Sequence, residues 1–263
     1  GQDLVKTSAC NYYGKDVTQA DAEEFYNKMK KPDEAEPVMY GLNSRLVKEN
    51  GKVVEKVWRS GGLYGKAIDK IIYWLEKAEP YAENPQQAEV IKKLVEFYKT
   101  GDLKTFDDYS ILWVKDTESR VDFTNGFTES YGDPLGMKAS WESIVNFKDI
   151  AATERTKKLS ANAQWFEDNS PVDGRFKKEK VKGISAKVIT AAILGGDLYP
   201  STAIGINLPN SNWVRKEYGS KSVTIGNITD AYNKAAHGNG FLNEYVIDKS
   251  TLDNINKYGD ACD

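Results

Sequence analysis

The chain has 263 residues, 40% of them hydrophobic and 29% charged, with a formal net charge of −3. That size and balance allow a sizeable core in one large domain or two modest ones and exclude a disordered chain. The slight negative charge gives no case for the basic face on which nucleic-acid binding rests, and no membrane span is expected, because the longest apolar stretch, residues 184–194, is too short and carries Lys187.

Taken in chain order, the sequence opens on no recognisable signal peptide, and a soluble protein is expected, its compartment, cytoplasmic or periplasmic, left open. Thr18-Gln19-Ala20-Asp21 is a capping box that starts a helix running to about residue 30. An acidic, Pro-containing linker covers 31–37. Residues 38–48 and 52–59 alternate as two strands about Asn50-Gly51, a pair suited to a tight turn with both residues at positive φ. Ala67, Ile68, Ile71, Ile72 and Leu75 recur at helical spacing over 63–78. Asn84-Pro85 caps and starts another helix, with Val90, Ile91, Leu94, Val95 and Tyr98 as its buried stripe and Gly101 as its end. A third helix is expected over 103–114.

Residues 119–131 read as extended, with Gly126 a bend or a point of close backbone approach, and Asp133-Pro134-Leu135-Gly136 as a turn. From Trp141 to about Asp168 the spacing of Ile144, Phe147, Ile150 and Leu159 predicts a long helix, stopped by Asn169-Ser170-Pro171. Strand and helix compete over 182–194. Loop and strand follow over 195–210, a short strand over 223–227, and a helix over 229–236. The segment 241–263 has no strong stop and reads as cut mid-domain. Hairpin, helices, then scattered strands and helices make an α+β chain, not a regular βαβ series.

Several residues have the chemistry of a shaped pocket. Glu129 and Tyr131, two apart on an extended segment, share a face, and a carboxylate beside a phenol suits an ammonium group. Asn207 and Asn210 flank Leu208-Pro209 and offer donors and acceptors to a peptide. Gly205 lets a second backbone come close, as when a peptide adds itself to a sheet edge. Each has a plainer reading: a solvent-facing strand pair, or a turn. Glu142 at a helix start is accounted for by the helix dipole. His237, the single histidine, sits in Gly-rich Ala236-His237-Gly238-Asn239-Gly240 and has no second histidine to share a metal. Cys10 and Cys262 form neither a disulfide framework nor a zinc knuckle, and are expected as free thiols, a terminal bridge being the alternative.

Asn125-Gly126-Phe127-Thr128-Glu129-Ser130-Tyr131-Gly132-Asp133-Pro134 and Gly205-Ile206-Asn207-Leu208-Pro209-Asn210 together resemble the substrate-binding segments of the dipeptidyl peptidase III family, two-lobed zinc exopeptidases. Gly41-Leu42-Asn43-Ser44-Arg45-Leu46, Leu75-Glu76-Lys77-Ala78 with Tyr81-Ala82, and Gly101-Asp102 resemble it too, in the same order. The resemblance implies a lower lobe around a small mixed β-barrel or sheet with surrounding helices, and a helical upper lobe that holds zinc. It assigns 1–149 and 188–236 to the α+β peptide-binding lobe, and 150–187 and 237–263 to an incomplete metal-binding lobe. It implies that Glu129, Asn207 and Asn210 grip the free N-terminus of an oligopeptide, that Gly205 adds backbone pairing, that Tyr131 reaches toward the scissile dipeptide, and that Glu142 lines the cleft.

The departures are as informative. The family's His-Glu-x-x-Gly-His helix is absent, and Pro200-Ser201-Thr202-Ala203-Ile204 differs from the usual approach to Gly205. The expectation is therefore the substrate-binding portion of a zinc-dependent dipeptidyl peptidase, without metal or catalytic residues of its own, whose partners are an oligopeptide and the missing metal-binding lobe. Two alternatives stay open: a glycoside hydrolase using Glu129 and Glu142 as its carboxylate pair, and a stand-alone, metal-free peptide-binding module.

Overall fold

A computed structural model describes residues 1–181, 184–236 and 241–262 of the chain. Helices α1 (Leu4–Thr7) and α2 (Gln19–Asn27) come first, and α2 begins on the expected capping box: the Thr18 hydroxyl accepts from Asp21 N while the Asp21 carboxylate accepts from Thr18 N. Strands β1 (Ser44–Glu49) and β2 (Lys52–Val57) form the expected hairpin, with Asn50 at φ 50° and Gly51 at φ 78°. Residues 38–43, expected as strand, are irregular and then turn; Leu42 enters the main core and buried Asn43 donates to Gly101 O.

Three helices follow where the apolar spacing puts them: α3 (Gly65–Ala78), α4 (Pro85–Thr100) and α5 (Leu103–Lys115). Asn84 caps α4 by accepting from Gln87 N, Gly101 leaves it at φ 72°, and Asp102 caps α5 through Thr105 N. Ile68, Ile72, Val90, Leu94, Phe97, Tyr109 and Trp113 from these helices make the main core with Phe127 and Leu208.

The second half is a five-stranded sheet. Strands β3 (Val121–Glu129), β4 (Ser140–Lys148), β5 (Ile184–Gly196), β6 (Gly205–Leu208) and β7 (Ser220–Ile225) lie in the order β3-β4-β5-β7-β6, antiparallel except for β5 with β7. Helices α6 (Ile150–Ala161) and α7 (Ala163–Asn169) lie between β4 and β5, and α6 packs on β5. Helix α8 (Asn212–Tyr218) joins β6 to β7, and α9 (Gly226–Ala236), α10 (Phe241–Tyr245) and α11 (Lys249–Cys262) complete the chain.

The architecture is α+β with a mixed sheet and surrounding helices, as expected, but the sheet stays open and closes no barrel. The long helix expected from Trp141 to Asp168 is instead strand β4 followed by α6 and α7. Along β4, Glu142, Ile144 and Asn146 alternate inward, a period of two that the threefold spacing of Ile144, Phe147 and Ile150 masks. The helix start is Asp149, whose carboxylate accepts from Ala152 N. Strand wins over helix in 184–196, so the division expected between 187 and 188 falls inside β5. Among the described residues no helix is long and apolar enough to cross a membrane. Cys10 is a free thiol. His237 lies outside the described residues, as does the side chain of Cys262.

Candidate functional site

Although β3 and β6 are opposite edges of the sheet, its curl brings their C-terminal ends together. Asn210 Nδ2 donates to Thr128 O and to Glu129 Oε2, both at 3.1 Å. The seam rests on an apolar bed in which Leu208 and Phe127 share the main core. Behind it lies a cavity of about 40 Å³ between α5, β3 and Pro209-Asn210, room for a water or two.

Two glycines allow this packing. Gly126, at φ 151°, lies under the ring of Phe106, and a Cβ there would stand 2.9 Å from Cε2. That is the close approach expected at this position. Gly196, at φ 62°, passes so near the carbonyl of Trp141 that a Cβ would meet its oxygen at 2.1 Å. These same two residues are the cross-strand neighbours of Glu142, Gly126 on one side and Gly196 on the other.

Glu142 is 2% exposed and has no cationic partner among the described residues. Burial first, then the charges of Glu129 and Asp197, push its carboxyl up to about 7, against the pull of the Thr128 hydroxyl. Three carboxylates, from the end of β3, the start of β4 and the turn after β5, thus share one electrostatic neighbourhood. A cation, above all an ammonium group that donates several hydrogen bonds, is what such an arrangement accepts.

The pH behaviour of Glu142 follows from linkage. A carboxyl whose folded value lies above its unfolded 4.5 holds a proton in the folded state that the unfolded chain has lost. Stability therefore falls as pH rises from about 4.5 through about 7. Glu142→Gln is expected to flatten that slope, raising the thermal midpoint by a few degrees at about pH 8 and hardly at all at about pH 4. Parallel melting curves of parent and variant check this; equal slopes would contradict it.

The other expected residues fall as follows. Gly205 and Asn207 are exposed on edge strand β6, which pairs with β7 on one side only. Tyr131 does not share a strand face with Glu129: β3 ends at Glu129, and Tyr131 projects from the following turn, 91% exposed. Buried Asp133 fixes that turn by accepting from Leu135 N, Met137 N, Lys138 N and the Tyr13 hydroxyl. Glu142 is inside a strand, so no helix dipole acts on it.

The supporting contacts of three groups escape sequence reading. Asp197 adds the third negative charge. Tyr98, fully buried on α4, donates to Asn125 Oδ1 on β3 and accepts from Trp141 Nε1 on β4 at 2.7 Å, tying both strands to the helix core. Asp107 Oδ2 on α5 accepts from Trp213 Nε1 at 3.0 Å, anchoring α8 three residues after Asn210, and burial raises its carboxyl to about 6. All three depend on contacts distant in sequence.

Among the described residues no three His, Cys, Asp or Glu side chains are grouped to hold a metal ion.

Comparison with known proteins gives consistent matches. The model of peptidase family M49 matches residues 42–260. Dipeptidyl peptidase 3 of Dictyostelium discoideum is 33% identical over 173 residues, covering 65% of this chain and 24% of that protein. The human dipeptidyl peptidase 3 is 29% identical over 167 residues, 64% of this chain and 22% of its own length. Among solved structures, dipeptidyl peptidase III from Caldithrix abyssi superposes with a TM-score of 0.71 at 24% identity, over 86% of this chain and 42% of that one. The enzyme from Corallococcus sp. strain EGB gives 0.70 at 23%, over 84% and 40%. The chain thus spans about a quarter of the length of these curated relatives.

Proposed function

Because the chain belongs to peptidase family M49, we propose that it is the peptide-binding portion of a zinc-dependent dipeptidyl peptidase, one that releases dipeptides from the free N-terminus of oligopeptides. The observation that carries this reading is the seam at which Asn210 meets Glu129 beside buried Glu142. It concentrates negative charge and hydrogen-bonding groups at the end of an open sheet edge.

In this reading the substrate's ammonium group sits against Glu129, with Asn207 and Asn210 contributing amide groups. Binding a cation there favours ionised Glu142, so the site charges as the peptide enters. The one-sided strand β6 offers backbone hydrogen bonds to an added antiparallel strand, with Gly205 permitting its approach. Tyr131, exposed beyond β3, reaches toward the second peptide residue. Counting the cleaved unit from the amine then follows from geometry: the ammonium pocket fixes the register.

Residues 1–149 and 188–236 form the peptide-binding lobe, and 150–187 and 237–263 belong to the metal-binding lobe. Zinc, its ligands and the general base come from parts of the protein beyond this chain, so the chain alone does not hydrolyse peptides. The family matches lend no support to a glycoside hydrolase with a Glu129/Glu142 pair.

Calorimetric titration with a short peptide and with its N-acetylated twin tests the proposal. The free-amine peptide is expected to bind and the acetylated one to bind at least about tenfold more weakly, the loss of one charge-assisted contact. Equal binding of the two would overturn the assignment of Glu129 and Asn210 to the amine.

A further inference from the structure

At the other end of the same strands lies a second polar site. Register places it there: Val121 pairs with Phe147 and Lys148 with Ile189, whereas Glu129 pairs with Ser140 and Glu142 with Gly196. A cleft of about 430 Å³ opens between α6 and the loop from α5 to β3. One stripe of α6, Ile150, Thr153, Glu154 and Lys157, forms a wall at the three- and four-residue spacing of a helix face. Arg120 forms the facing wall, and Lys148 and Lys187 the floor.

The charges here do not balance. Lys157 pairs with Glu154, and Glu118 adds one acid at the rim. Among the described residues no carboxylate pairs with Arg120 or Lys148; the Lys148 ammonium donates only to the carbonyls of Thr117 at 2.9 Å and Glu118 at 3.2 Å. Lys187 is 5% exposed. Two carboxylates act on it and both are engaged elsewhere: Asp122 stands 4.0 Å away and is held by buried Lys221 at 2.8 Å, and Asp116 accepts from the amide and hydroxyl of Ser119. The closest acceptor to Lys187, the carbonyl of Asp116, is 3.5 Å off. A buried ammonium with its counter-charge taken by a neighbour is costly. In keeping with this, burial, then Lys221, and also Lys148, push Lys187 down to about 8.

We propose that this cleft binds a phosphate-bearing small molecule, whose phosphate oxygens accept from Lys187 and Lys148 on the floor and from the guanidinium of Arg120 on the wall. A multivalent oxyanion matches three convergent cations better than a single carboxylate does, and the planar fork of arginine suits it. The volume exceeds one phosphate and leaves the exposed side chain of Ile150 for an organic body. On a chain of net charge −3, the site is a local reversal of sign.

Inorganic tripolyphosphate is the probe, titrated into the intact chain by calorimetry against sodium chloride at matched ionic strength. One saturable site is expected, weakened at least about tenfold by Arg120→Gln, a charge-assisted pair lost from an exposed side chain. Lys187→Met is expected to weaken it as much, while Lys99→Gln on the far side of α4 leaves it unchanged. Folding of each variant is checked by its melting curve. The proposal is overturned if no saturation appears above the chloride control, or if Arg120→Gln binds as the parent does. Neither result bears on the peptide site, which uses other residues.

Discussion

Glu129→Gln is expected to weaken binding of a free-amine peptide by about 10- to 150-fold, the equivalent of about 1.5–3 kcal/mol for a hydrogen bond to a charged group. The substitution is a clean one, because the glutamine oxygen can still accept from Asn210 Nδ2, so the seam between β3 and the chain after β6 persists. Only the charge is lost. A second readout distinguishes this from a general loosening of the site: after burial itself, Glu129 is the strongest influence holding the Glu142 carboxyl high. In the variant that carboxyl is expected to titrate lower, visible by carbon NMR. Weak binding with an unmoved Glu142 would mean that the two carboxylates do not share a site.

Asp122→Ala is expected to cost about 3–5 kcal/mol of stability, the penalty of leaving a buried charge without its partner. Asp122 accepts from Lys221 Nζ at 2.8 Å and from Trp113 Nε1 at 3.0 Å, and Lys221 is fully buried over the face of Trp113. Removing the carboxylate leaves Lys221 without its hydrogen-bonded counter-charge and deprives Lys187 of the carboxylate that stands 4.0 Å away. At about 2–4 °C per kcal/mol for a chain of this size, the thermal midpoint should fall by about 10 °C or more. Adding Lys221→Met to the same chain is expected to recover much of the loss, since an apolar side chain of similar length needs no partner. A loss below about 1 kcal/mol for Asp122→Ala would show that the buried cations are neutral or solvated.

The two sites differ in how far a sequence can reveal them. Helix ends are legible because their signals are local: Thr18 with Asp21, Asn84 with Pro85, and Gly101 each act on backbone groups within four residues. The hairpin at Asn50-Gly51 is legible for the same reason. Strand β4 is not, since its apolar residues satisfy a helical spacing as readily as alternation, and only burial between β3 and β5 decides between them. Helix α8 escapes notice because it is short and held by a distant carboxylate, Asp107.

At the candidate site, the residue types at Glu129, Asn207 and Asn210 are visible in the sequence, and a family resemblance assigns them a common purpose. What cannot be read is that β6, which follows β5 in the chain, pairs instead with β7 at the far edge, so that Asn210 returns to β3. Lys187 is less visible still. It lies in an apolar run, and its significance depends on Lys148, Lys221 and Asp122 from three other strands.

The most direct measurement is a crystal structure of the chain with a bound tripeptide. The account predicts an antiparallel strand added to the free edge of β6, its ammonium nitrogen within about 3 Å of Glu129 and of the Asn210 amide. A peptide bound in the opposite direction, or with its ammonium away from Glu129, would contradict it.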